Sequence, residues 1–183
     1  MRIISGKARG TKLYTLEGLE TRPTLDRVKE SMFNIINNDI YGSTVLDLFS
    51  GSGAIGLEFA SRGAKKVYIC DNSQKAIDII EKNIEKTHLK EFIEIYNCDF
   101  KVALKKISDE KIDIIYLDPP YKTDYIKQSL EQFFTLSCVD KDTLIIIETD
   151  DIKKITEEIN KLNIKIIDQR KYGRVHLIFI KIK

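Results

Sequence analysis

Val45-Leu46-Asp47-Leu48-Phe49-Ser50-Gly51-Ser52-Gly53-Ala54-Ile55-Gly56-Leu57-Glu58 carries a short apolar strand into a glycine-punctuated turn, and the turn into a helical pattern. Strand, glycine turn and helix in that order open a parallel α/β sheet, because parallel neighbours need a crossover and the crossover is usually a helix. Glycine has no Cβ, accepts positive φ and lets a ligand approach the backbone. The spacing Gly51-x-Gly53-x-x-Gly56 therefore suits a nucleotide-like group at the carboxyl end of the strand. Taken alone, the same spacing also fits a dinucleotide fingerprint or a structural turn. No Gly-Lys-Ser/Thr follows, so it is not a Walker A loop.

Downstream the rhythm repeats. Apolar runs at 44–48, 66–70, 92–96, 112–117 and 143–147 alternate with helical stretches at 54–62, 73–87, 100–107, 123–136 and 151–161. Such alternation predicts a mostly parallel sheet with helices on both faces. Two strand-like runs at 164–168 and 174–180, separated by a turn containing Gly173, break the alternation and predict an antiparallel hairpin at one side of the sheet. Upstream, Leu25, Val28, Met32, Ile35 and Ile36 predict a helix over 24–38 that begins beside Pro23. Residues 1–22 place Arg2, Lys7, Arg9 and Lys12 ahead of the first acid, Glu17, and read as a small basic β-hairpin or arm. The expected architecture is Rossmann-like, one domain over 1–183, with the arm at 1–22 and the catalytic core at 23–183.

The 183 residues, 43% of them hydrophobic, suffice for one sizeable core. With 30 Lys and Arg against 28 Asp and Glu, any nucleic-acid footprint must be local rather than global. Cys70, Cys98 and Cys138 are scattered, form no metal-ligand pattern and fit reduced thiols. No secretory signal or membrane-spanning run is legible, so the expectation is a cytoplasmic protein without a membrane partner. The helically spaced Phe33, Phe59, Phe133 and Phe134 read as core, and His88 and His176 as surface or packing residues.

Three acids narrow the reading of the glycine turn. Asp47 lies in the strand before it, Asp71 closes the second strand, and Asp99 follows the third. In an open parallel sheet all three open on one crevice. Asp71 is placed to accept from both hydroxyls of a ribose. Asp99 is placed to accept from an adenine amine, with Phe100 offering apolar surface, and Asp47 suits the cationic amino-acid end of S-adenosylmethionine (SAM). That cofactor would lie against Asp47, Phe49, Ser50, Gly51, Ser52, Gly53, Asp71, Asp99 and Phe100, with S-adenosylhomocysteine as the product and no metal.

Asp118-Pro119-Pro120-Tyr121 closes the fourth strand. Two prolines donate no amide protons and make a stiff extended turn that fixes the neighbouring groups. An exocyclic base amine is a poor nucleophile because its lone pair is delocalised into the ring. A carboxylate at Asp118 and the Pro119 carbonyl, each accepting one of its N–H bonds, would draw the nitrogen toward tetrahedral geometry. Tyr121 would stack on an extruded base, a contact worth about 1–3 kcal/mol. The catalytic candidates are thus Asp118, Pro119, Pro120 and Tyr121.

These motifs resemble those of SAM-dependent methyltransferases with an (Asp/Asn)-Pro-Pro-(Tyr/Phe/Trp) tetrapeptide. More narrowly the chain resembles the RsmD family, bacterial enzymes that methylate N2 of one guanine in 16S ribosomal RNA. The likeness runs nearly end to end: Met1-Arg2-Ile3-Ile4-Ser5-Gly6 with Gly10, Arg22-Pro23-Thr24 with Arg27, Glu30 and Phe33-Asn34, Leu46 to Gly53 with Gly56 and Glu58, Ser61-Arg62-Gly63-Ala64, Asp118 to Tyr121, and Tyr172-Gly173. It departs at Asp71, where similar sequences more often carry Glu. The resemblance implies a seven-stranded class I methyltransferase sheet, a guanine target, and 16S rRNA in a small subunit or assembly intermediate as partner.

Arg2, Lys7, Arg9, Arg22, Thr24 and Arg27 are the candidate substrate contacts, through phosphate and at the mouth of the site. A DNA adenine-N6 or cytosine-N4 methyltransferase fits the tetrapeptide but lacks a target-recognition domain here. A dinucleotide oxidoreductase leaves the tetrapeptide without a role. A non-catalytic RNA-binding assembly factor has no use for the acids. A monomer is expected, since no apolar surplus marks an interface.

Overall fold

The computed structural model describes residues 1–16, 23–107, 110–120 and 123–183, the side chains of 23–25 excepted. β1 (Thr44–Asp47), β2 (Lys66–Asp71), β3 (Ile93–Asn97), β4 (Ile114–Leu117), β5 (Leu144–Thr149), β6 (Ile164–Tyr172) and β7 (Val175–Ile182) join in one sheet of order β3-β2-β1-β4-β5-β7-β6. β1 to β5 run parallel, and β7 inserts antiparallel between β5 and β6. The C-terminal hairpin is thus where the sequence places it. Its edge strand β6 shifts register between Ile166 and Asp168, and its outer half is charged, two features that discourage edge-to-edge pairing.

The helices are α1 (Pro23–Ile35), α2 (Asn37–Ile40), α3 (Ala54–Ser61), α4 (Gln74–Thr87), α5 (Phe100–Lys106), α6 (Tyr125–Phe133) and α7 (Ile152–Ile159). Side chains alternate across a strand, so each strand feeds two cores. Val45, Val67, Ile69, Ile114, Tyr116, Ile146, Leu177 and Phe179 meet α1, α3 and α4 through Val28, Met32, Phe33, Leu57, Ile77 and Ile80. Leu46, Leu48, Tyr68, Ile115, Leu117, Ile145, Ile147 and Ile178 meet α5, α6 and α7 through Phe100, Leu104, Leu130, Phe133 and Ile155. Burial on both faces is why these strands read as continuous apolar runs.

Two local expectations change. The helix predicted over 24–38 is interrupted at Ile36 (φ −97°, ψ 12°), and Asn37–Ile40 then form the separate short helix α2. Phe134 falls one residue past α6 and is 40% exposed, so it is not core, whereas Phe33, Phe59 and Phe133 are.

The basic segment folds back on itself and docks on α3. The Ile3 amide donates to the Thr11 carbonyl (3.0 Å), the Gly10 amide to the Ile3 carbonyl (2.9 Å) and the Leu13 amide to the Met1 carbonyl (3.0 Å), around an antiparallel bridge between Arg2 and Lys12. Glu58 of α3 is fully buried and accepts from the amides of Ile4 (2.8 Å) and Ser5 (3.0 Å). It also pairs with Lys29 (2.8 Å) and Arg62 (2.8 Å), and Lys29 donates to the Arg2 carbonyl at 3.0 Å. Lys7 and Ala8 reach Ser61 through their amides. Gly6 has φ +82°, and a Cβ there would lie 1.8 Å from the Ser61 carbonyl oxygen. Gly6→Ala must therefore both strain its backbone and lift the arm from α3. A loss of about 1–3 kcal/mol is expected in urea unfolding, and an unchanged midpoint would contradict this packing.

Candidate active site

The strand order reverses between β1 and β4, and at such a switch point the connections from the two carboxyl ends part and leave a crevice. The crevice here has a volume of about 690 Å3. Its floor is the turn after β1 and the ends of β2, β4 and β5. Its rim includes Thr15 and Leu16 of the arm and Val28, Lys29 and Met32 of α1. A depression of about 620 Å3 at the opposite ends of the strands contains none of the candidate residues.

Three hydrogen bonds hold the start of the glycine turn. The Ser50 hydroxyl donates to the Asp47 carbonyl (2.7 Å), the Ser50 amide to the Cys70 carbonyl (2.9 Å), and the Gly51 amide to Asp71 Oδ2 (2.9 Å). Gly51 (φ 55°) and Gly53 (φ 75°) are left-handed, which is how the chain turns from β1 into α3. Gly56 is required by space: a Cβ would meet Ile69 at 2.8 Å and Asp47 Oδ2 at 3.3 Å.

Asp47 is 1% exposed; its Oδ2 accepts from the Gly56 amide at 2.9 Å, and its Oδ1 has no hydrogen-bond partner. Burial, against the lowering bond from Gly56, pushes its carboxyl up to about 7. A buried carboxylate oxygen facing a cleft without a donor is incomplete until a cationic group arrives. Asp71 uses Oδ2 on Gly51 and Oδ1 on the Ser73 amide (2.9 Å), so it both shapes the turn and retains lone pairs toward the cleft. Asp99 is exposed and caps α5 through the Lys101 amide (2.9 Å), while Phe100 is buried beneath it.

Beyond β4, Asp118, Pro119 and Pro120 line the same cleft. Thr123 donates to the Pro120 carbonyl at 2.9 Å and steadies the turn. Burial, then the carboxylates of Glu148 and Asp47, push Asp118 well above the usual carboxylate range. Tyr121 and Arg22 lie outside the described residues, as does the side chain of Thr24.

Several cleft residues escape the sequence reading. Tyr125, in the first turn of α6, stacks on Phe49 (6.0 Å, 5°) and contacts Phe100 (5.1 Å), which also meets Phe49 (5.3 Å). The three rings make one apolar wall. Glu148 near the end of β5 is 8% exposed and accepts from the Tyr116 hydroxyl at 2.6 Å. Its signal is visible in retrospect: like Asp118, it is an acid closing a buried apolar strand.

Of the basic candidates, Arg2, Lys7, Arg9 and Arg27 are exposed and form no ion pair among the described residues. They are not gathered at the cleft. The tip of the arm sits by Ser61 at the far end of α3, and the Lys7 ammonium lies 4.4 Å from the Phe92 ring centroid. Eight helical residues, about 12 Å, separate that tip from the glycine turn. Among the described residues no helix is long and apolar enough to cross a membrane.

The family model described as conserved hypothetical protein 95 matches residues 1–181. A Bacillus subtilis protein named as a candidate rRNA methyltransferase is 35% identical, covering 88% of this chain and 89% of its own. Ribosomal RNA small subunit methyltransferase D of Haemophilus influenzae is 34% identical over 85% of this chain and 81% of its own. In fold, the chain is similar to a solved Escherichia coli protein, a candidate methyltransferase, with a TM-score of 0.81 at 24% identity, covering 100% and 98% of the two chains.

Proposed function

The chain belongs to the conserved hypothetical protein 95 family, the RsmD family, and from that premise we propose that it transfers a methyl group from SAM to N2 of a guanine in 16S ribosomal RNA. The observation that carries the reading is the pairing, across one switch-point cleft, of an unpartnered buried Asp47 oxygen with the Asp118-Pro119-Pro120 turn. The first is a receptor for a cationic cofactor and the second a receptor for an amine. The names of the Bacillus and Haemophilus relatives supply the RNA class.

The residues present fit SAM. Asp47 Oδ1 would take its ammonium, Asp71 its ribose, and Asp99 with Phe100 its adenine, with Phe49 and Tyr125 closing the apolar wall. Gly56 leaves room beside Asp47 that any Cβ would fill. When bound, SAM supplies a methyl group activated on a sulfonium. The chain's own work is positioning and charge: the Asp118 carboxylate and the Pro119 carbonyl accept the two amine N–H bonds, which aims the nitrogen lone pair. The same carboxylate stabilises the positive charge that develops on the nitrogen. The proton departs afterward, so no strong base is needed. The exposed cations of the arm lie along a surface that phosphates of a structured RNA can follow away from the cleft.

Small ribosomal subunits lacking their native base methylation, incubated with the protein and radiolabelled SAM, should yield labelled N2-methylguanosine on digestion. Label in another nucleoside, or only in DNA offered in parallel, would overturn the guanine assignment. SAM binding without any label would point to a non-catalytic assembly role.

A further inference from the structure

We infer that Glu148 is the residue that selects guanine, its Oε1 accepting the N1–H of the base whose N2 amine lies against Asp118. The inference rests on the reading of the cleft as a base-amine methyltransferase site. Its starting point is strand register. Leu117 of β4 pairs with Ile147 of β5, so the next residues, Asp118 and Glu148, leave adjacent strands side by side and on the same face. Neighbouring strands lie about 4.8 Å apart, which brings two carboxylates within reach of one planar ligand edge.

Glu148 is held for such a contact. Tyr116, two residues before Asp118 and so on the same face, donates its hydroxyl to Glu148 Oε2 at 2.6 Å. Oε1 has no partner among the described residues, although the side chain is only 8% exposed and lines the cleft. Asp47 Oδ1 is a fully buried acceptor lacking a donor in the same cavity, whereas Glu148 Oε1 is an unpartnered acceptor open to it. One is accounted for by the cofactor ammonium; the other points to a ligand N–H.

The chemistry of the bases decides which ligand. On its pairing edge guanine presents N1–H beside the N2 amine, two donors in a row. Adenine and cytosine place a ring nitrogen lone pair beside their amine. Two adjacent carboxylates match the first pattern and face the second with acceptor against acceptor. A site built on such a contact rejects the analogue that lacks the donor far more strongly than an apolar pocket rejects a missing methylene.

The test uses small subunits reconstituted on RNA carrying either guanine or 2-aminopurine at the labelled position. 2-Aminopurine keeps the N2 amine but presents a lone pair at N1. The wild-type protein should methylate guanine more efficiently by about a hundredfold or more in kcat/KM. Glu148→Gln is isosteric, can still accept from Tyr116, and offers an amide N–H to the N1 lone pair. It should lower the guanine rate and compress the ratio to within about tenfold. An unchanged ratio would overturn the inference, as would loss of S-adenosylhomocysteine binding in the same variant, since that places Glu148 with the cofactor. Wild-type protein that labels no guanine would overturn the methyltransferase reading itself, an outcome visible without the variant.

Discussion

Asp118→Ala should lower kcat for RNA methylation by about 10³-fold while leaving a cleft that still binds S-adenosylhomocysteine. The residue sits at the carboxyl end of β4, next to the rigid proline pair, and makes none of the hydrogen bonds that hold the glycine turn. On the proposed mechanism, its removal deletes one of two acceptors for the amine and the nearest anion to the charge that develops on nitrogen, so the loss belongs in kcat. Asp118→Asn separates acceptor from base. An amide oxygen still accepts an N–H but takes up no proton, so a positioning role predicts that Asn recovers at least about tenfold of what Ala loses. A general-base role predicts that Asn and Ala are equally inactive. Single-turnover rates with saturating SAM, beside calorimetry with S-adenosylhomocysteine, decide between them. Equal loss of cofactor affinity and rate would remove Asp118 from the substrate half altogether.

How much of this was legible follows from which interactions are local. The parallel core was readable because each of β1, β2, β4 and β5 is buried on both faces and so written as an uninterrupted apolar run. The acids at the strand ends were readable because topology alone carries them to one crevice. Register was not readable. Nothing in the sequence sets Asp118 beside Glu148, since that follows from Leu117 pairing with Ile147 after a crossover of some thirty residues. The arm shows the same limit. Its cations suggested a surface element, but the anchor is Glu58, fifty-three residues from Ser5 in the chain, and its buried pairing with Lys29 and Arg62 is a tertiary fact. The dual use of Asp99 as cleft wall and helix cap was likewise open until α5 was seen to begin at Phe100.

Asp47→Asn should make the empty protein more stable and unable to hold SAM. The carboxyl is buried with one oxygen unpartnered, and its folded value near 7 stands above the usual 3.8. An acid raised on folding binds more protons in the native state than in the unfolded one between those two values. The native state therefore loses stability as pH rises from about 4 to 7, and above 7 it carries the whole penalty of about 4 kcal/mol. Asparagine keeps an oxygen for the Gly56 amide and removes the charge. Its amide nitrogen inherits the unpartnered position and returns part of the gain, so about 2 kcal/mol of net stabilisation is expected at pH 8. Urea unfolding at pH 5.5 and 8 should show the variant more stable at the higher pH, with a shallower pH dependence than the parent. The cofactor responds in the opposite sense. A cation that needs the ionised carboxylate should bind the parent more weakly as pH falls below about 7, approaching tenfold per unit, and this dependence should shrink in the variant along with most of the affinity. A residue placed only for packing would lose stability on substitution and leave the pH profile of binding where it was. Stability gained and binding lost at one buried oxygen is the signature of a site kept unsatisfied for its ligand.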